Sequence, residues 1–237
     1  MRRRWVRVLA ITVVVLAVLL TVADRVSVHY ADKEAARLVK QKYGYANSTD
    51  SHVDVSIEGF PFLTQVLGQN FGHVRLTAGQ FTVDTTSNAQ GGYLHVKEFD
   101  LDLRGVTVTS LTARSAEANL ATGTLKLSYD ELSGVVTGLA GSGGPLRVSQ
   151  APGSAEQAAK VRITGTAGGQ HVDGTGTLLA QGNELTLTIP GVQRPAPVWR
   201  VDLPEGVGFT AARATADGVD ISMVGHQVTL GRSRFER

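Results

Sequence analysis

From Val53 onward the chain repeats with a period of two. Val53, Val55 and Ile57 alternate with Asp54, Ser56 and Glu58, a pattern that suits an extended chain with one face buried and one wet. Similar segments occur at 71–86, 93–103, 105–118 and 120–128, then at 158–167, 170–179, 184–190, 198–203, 207–215, 218–224 and 226–231, each bounded by glycine, proline or small polar residues. Glycine makes up 27 of 237 residues, above the ordinary ~7%, which fits many strands joined by tight turns. There is no cysteine, so stability must come from a packed core rather than from disulfides. In 93–103 the apolar positions change phase, from Leu94 and Val96 to Phe99, Leu101 and Leu103, which predicts a bulge near Lys97–Glu98. RLTAGQFTVD at 75–84 and RATADGVDIS at 213–222 look alike and suggest a repeated strand–turn–strand unit.

Three segments break this rhythm. In Asp24–Tyr43, Val28, Ala31, Ala35, Leu38 and Val39 recur at helical spacing, with Lys33, Arg37, Lys40 and Gln41 on the other side and Gly44 as the stop. Tyr129–Gly138 reads as a short helix that turns Leu132, Val135 and Val136 inward. In EGFPFLTQVLGQNFGHV (58–74), Pro61 opens and Gly68 closes a helical plug over 61–67 that puts Phe62, Leu63, Val66 and Leu67 on one face. So short a helix is stable only against a core, a membrane or a bound lipid. GLAGSGGPLRVSQAPGS at 138–154 reads as a loop or a weak subdomain boundary. The whole is α+β: a long amphipathic helix wrapped by a curved, mainly antiparallel sheet enclosing an apolar groove.

The N-terminus reads as an export segment. Arg2, Arg3, Arg4 and Arg7 precede an uninterrupted apolar run, Val8–Ala23. Sixteen helical residues span roughly 24 Å against a ~30 Å hydrocarbon layer, so residues 1–23 are either a signal peptide, cut near Ala23, or a signal-anchor. The basic flank predicts a cytoplasmic N-terminus and an extracytoplasmic domain over 24–237. Removing 1–23 takes away four arginines and no acid, shifting the formal balance from +2 to −2. The remainder is not basic enough for a nucleic-acid binder.

No catalytic constellation is apparent. His29, His52, His73, His95, His171 and His226 lie outside metal-ligand spacings, and there is neither a G-x-S-x-G elbow nor a phosphate-binding loop. The nearest glycine cluster, GSGG at 141–144, lies in the loop-like 138–154. Glu98, Asp100 and Asp102 read as a solvated strand face. No metal or cofactor is expected.

The plug, together with LPEGVGFTAARATADGVDISMVGHQVTL at 203–230, resembles the actinobacterial LmeA-like family of phospholipid-binding proteins, and the likeness covers most of 24–231. The resemblance implies a relative of the tubular lipid-binding fold, acting outside the cytoplasm in cell-envelope lipid or glycolipid maintenance and without enzymatic activity. Under it, Val28, Ala35, Leu38, Val39, Phe60, Phe62, Leu63, Val66, Leu67, Phe99 and Leu101 are candidate lipid contacts. Leu63 and Leu67 would form cavity wall and Phe60 and Phe62 a membrane-facing lip, with ordinary core as the competing role for all four. Arg37 and Lys40 are the head-group candidates. The partners expected are a phospholipid or glycolipid, the cytoplasmic membrane and an envelope glycosyltransferase. Two other readings compete: an envelope adaptor with a fully packed interior, and a glycan enzyme using Asp100, Asp102 and Glu117.

Overall fold

Sequence neighbours pair with one another through most of the molecule. The computed structural model describes residues 2–42, 52–85, 92–110, 115–140, 144–153, 158–167, 169–189, 198–201 and 203–230. Strands β1 (His52–Glu58), β2 (Asn70–Thr85), β3 (Gly92–Ser110) and β4 (Ser115–Ser128) follow one another, and β11 (Gly218–Leu230) and β10 (Val207–Ala214) join the far side of β4. The sheet order is β1-β2-β3-β4-β11-β10. A second sheet runs in chain order through β5 (Leu146–Gln150), β6 (Ala158–Ala167), β7 (Gln170–Gln181), β8 (Glu184–Thr188) and β9 (Val198–Arg200). Every pairing is antiparallel. Helices α1 (Arg2–Lys42), α2 (Phe62–Gly68) and α3 (Tyr129–Ala140) complete the described chain.

One apolar core joins the two sheets. Leu125, Leu127, Val219 and Ile221 from the six-stranded sheet, Leu132 and Val136 from α3, and Val161, Ile163, Leu178, Leu185 and Leu187 from the five-stranded sheet are buried in a single cluster. The Phe209 N–H bonds the Gly182 carbonyl at 2.6 Å, tying the β7–β8 turn to β10. The expected α+β class and antiparallel pairing are found. In place of one curved sheet wrapped around the helix there are two sheets, because the glycine- and proline-rich stretch after α3 carries β5, which opens the second one. Residues 138–154 are therefore only partly loop.

Other boundaries also differ. The segments expected at 93–103 and 105–118 are redistributed: β3 runs unbroken to Ser110, and β4 takes 115–128. Likewise 218–224 and 226–231 form one strand, β11. No bulge occurs at Lys97–Glu98, where Gly79↔Glu98 and Phe81↔Val96 hold a single register; the irregular residue is Gln80 of β2, at φ 53°. The two similar decapeptides are not equivalent, since 75–84 lies within β2 whereas 213–222 turns from β10 into β11.

A second discontinuity crosses the large sheet. By register Gly105 (φ 61°) stands opposite Asn119, and Asn119 opposite Gln227 (φ 52°). Across this row the buried face changes parity: Leu103 gives way to Val106, Ala121 to Ala118, and Met223 to Val228. Leu103, Val106, Ala118, Ala121 and Val228 form a separate small core, flanked by half-buried Phe71, Leu101, Ala116 and Leu230.

Helix α1 joins the apolar run to the amphipathic segment without a break. Its 41 residues span about 60 Å, roughly twice a bilayer's hydrocarbon layer. Val13–Val22 are exposed on every side, and the Thr21 and Ser27 hydroxyls bond back to the Ala17 and Ala23 carbonyls, each at 2.8 Å. The helix is thus long and apolar enough to cross a membrane. Its C-terminal half packs along β1, with Ala35 and Ala36 against the main core.

Candidate functional site

β1 is an edge strand, and α1 covers its free side. Asp32 Oδ1 accepts the Ile57 N–H at 2.9 Å. Because backbone groups alternate sides along a strand, Val53 and Val55 direct their N–H and C=O toward the same edge as Ile57. A cleft of about 460 Å³ lies here, lined by His29, Asp32, Lys33, Ala36 and Arg37 of α1 and by residues 53–56 of β1. It combines a cationic rim, outward-facing strand amides and an apolar floor of Ala36, Val53 and Val55. Such a combination can hold an anionic group attached to a hydrocarbon. Asp32 and Asp54 also line it, so its charge is mixed. Arg37 is exposed and pairs with Glu34 at 3.0 Å.

The second feature is the turn between β1 and β2, which carries α2. Asp24 is only 2% exposed, and its Oδ1 accepts the Leu63 N–H at 2.8 Å. Pro61, at the N-cap, provides no side-chain hydrogen bond, so an orphan amide of α2's first turn is satisfied from α1. The Asp24 Oδ2 is buried without a hydrogen-bond partner among the described residues. The Arg25 guanidinium lies over the Phe60 ring, 5.4 Å from its centroid, a cation–π contact. Phe62 is buried, its ring 6.2 Å from that of Phe71. Gln69 closes α2 in the left-handed region, one residue later than the expected Gly68. The four apolar residues of the plug accordingly divide: Phe62 is buried and Leu63 half-buried, while Val66 and Leu67 are 42% and 85% exposed.

The other candidates are dispersed. Val28 and Leu38 are half-buried, and Ala35 packs on the core. Phe60 is 57% exposed, whereas Phe62 is buried. Phe99 packs against the main core and Leu101 against the small one. The side chains of Val39 and Lys40 lie outside the described residues. The candidates thus fall into a cleft group beside α1, a plug group at the β1–β2 turn, and two residues on the sheet. Asp24 carries no local signal as an anchor for the plug, because its partner is 39 residues away. Its place directly after the apolar run is the one hint the chain offers.

Of the acids proposed for a glycan enzyme, Asp100 and Asp102 share one strand face and line a cleft of about 410 Å³ with Arg75, Leu101 and Met223, whereas Glu117 stands apart from them. Asp102 sits in an ion-pair cluster with His73, Arg75 and Arg104, and His73 also meets Glu58 at 2.8 Å. Burial raises the Asp102 pKa, but hydrogen bonds from His73 and Arg104 outweigh it and hold the carboxyl below its usual range. Asp100 accepts the Thr77 hydroxyl at 3.1 Å. Glu117 pairs in register with Thr107, five positions and so roughly 17 Å along β3 from Asp102, beyond the 5–9 Å of glycosidase carboxylates. Among the described residues no His, Asp and Glu group is arranged to hold a metal ion.

A family model described as LmeA-like phospholipid-binding matches residues 22–234. No curated protein and no solved structure matches the chain.

Proposed function

The chain belongs to the LmeA-like phospholipid-binding family, and from that premise we propose that it is an envelope phospholipid-binding protein held at the cytoplasmic membrane by α1. The observation that carries this reading is the family match itself, which spans nearly the whole domain. In our reading the extracytoplasmic domain takes a phospholipid or glycolipid, as carrier or sensor, in envelope maintenance. The phosphate sits in the α1–β1 cleft against Lys33, Arg37 and the β1 edge amides, with Lys40 further along the same helix. The acyl chains run from Val28, Ala35, Leu38 and Val39 toward Leu63 and over the sheet at Phe99 and Leu101. Each CH₂ left in water would cost about 0.8 kcal/mol, so the domain must keep the chains covered as they leave the bilayer, and the head-group contacts in the cleft decide whether the lipid is retained. No catalytic step is assigned, and an envelope glycosyltransferase remains the partner we would test first.

The test is native mass spectrometry of the full chain released from detergent micelles, run beside Lys33→Glu/Arg37→Glu. We expect one phospholipid to survive activation that strips detergent, and the double variant to lose it at unchanged melting temperature. Absence of a retained lipid in the wild type overturns the reading.

A second reading draws on the filled space between the sheets: an adaptor that binds an envelope enzyme through its surface. It requires no lipid retention and a partner recovered by cross-linking in the membrane.

A further inference from the structure

The polypeptide descends along α1 toward the apolar run. Ile57 bonds Asp32, and Leu63 bonds Asp24, eight residues or about 12 Å nearer the N-terminus of the helix. β2 then climbs back, with His73 opposite Glu58 and Gly79 opposite His52. The β1–α2–β2 turn is therefore the part of the domain fixed to the first polar residue after Val8–Ala23. At that level Phe60, Val66 and Leu67 are exposed, three large apolar side chains within eight residues, and Arg25 covers one face of Phe60.

We propose that α2 inserts into the bilayer surface beside α1, with Leu67 and Val66 in the acyl boundary, Phe60 at the head-group level and Arg25 toward lipid phosphate. This rests on the reading of α1 as a membrane anchor. The occupant is a lipid surface because α1 carries the patch to within one hydrogen bond of the apolar run's end. Interfacial helices sink their apolar face about 5–10 Å, a depth a two-turn helix can reach without drawing the sheet in. The contact fixes the domain at two points, α1 and α2, and so sets the tilt at which the α1–β1 cleft meets the membrane.

The absence of cysteine makes the test direct. Leu67→Cys, Asp130→Cys and Leu16→Cys are each labelled with an environment-sensitive fluorophore in the full chain. The proteins are reconstituted in nanodiscs of phosphatidylcholine and phosphatidylglycerol carrying nitroxide acyl chains. Asp130 lies two residues beyond Ser128, which is eleven positions along β4 from Glu117 and so roughly 35 Å from the plug end of the sheet. The label at Leu67 should shift to the blue and lose most of its emission to the nitroxide, while that at Asp130 keeps it. A label at Leu67 that behaves like the one at Asp130 overturns the proposal. The Leu16 label separates the two failures: quenched with Leu67 unquenched, α1 is anchored and α2 is dry; both unquenched, the anchor reading has failed as well.

Discussion

Asp24 is the residue on which the junction of helix and domain turns. Its Oδ1 caps α2 from outside that helix, and loss of a cap costs about 1 kcal/mol. Asp24→Ala should speed hydrogen exchange at the amides of Leu63 to Val66, whereas Asp24→Asn, which retains an acceptor, should not. Equal exchange in the two variants would show that the bond does not hold the plug. Asp102 gives a prediction with a defined pH sign. Its folded pKa is depressed, so its stabilisation is fully present above the unfolded value near 3.9 and disappears as pH falls through the lower, folded value. Asp102→Asn should thus lower the melting temperature at pH 7, with the deficit shrinking as the pH drops below 4. A deficit that does not change with pH would mean that charge is not the cause.

Among the elements, the bent row across β3, β4 and β11 is the most exposed to a single change. Gly105 has φ 61°, and a Cβ there would lie 2.4 Å from the Asn119 amide nitrogen. A side chain held in the left-handed region costs about 1–2 kcal/mol. Gly105→Ala should therefore lower the melting temperature by roughly 2–8 °C, taking about 2–4 °C per kcal/mol for a domain of this size. A neutral result would mean that the bend relaxes. The strands themselves were legible from period-two patterning, and α1's stripe of Val28, Ala31, Ala35 and Leu38 is half-buried as its spacing predicts. The bend was not legible. It is a row of aligned positions on three strands, two of which, Gly105 and Gln227, take left-handed backbone conformations, and one strand's alternation cannot reveal what its neighbours do. The same limit explains the misplaced bulge: the phase change in β3 is real, but the unusual φ belongs to Gln80 on its partner.

At the scale of the molecule, one core binds both sheets. Ile221 and Leu187 are fully buried on opposite sides of it, and truncating either to alanine should cost about 2–5 kcal/mol. Ile221→Ala and Leu187→Ala should each displace one common unfolding transition. Two transitions, each sensitive to only one variant, would make the sheets independent units divided by the subdomain break expected at 138–154. The sequence alone determined the antiparallel α+β class, the apolar N-terminal helix and the family, because these depend on local periodicity, composition and contiguous motifs. Tertiary structure decided that α1 lies along the edge of β1, that Asp24 fastens α2, and that Phe62 is hidden while Leu67 is bare. Each of these depends on which distant segment fills the space beside a side chain, and that is settled only when the whole chain packs.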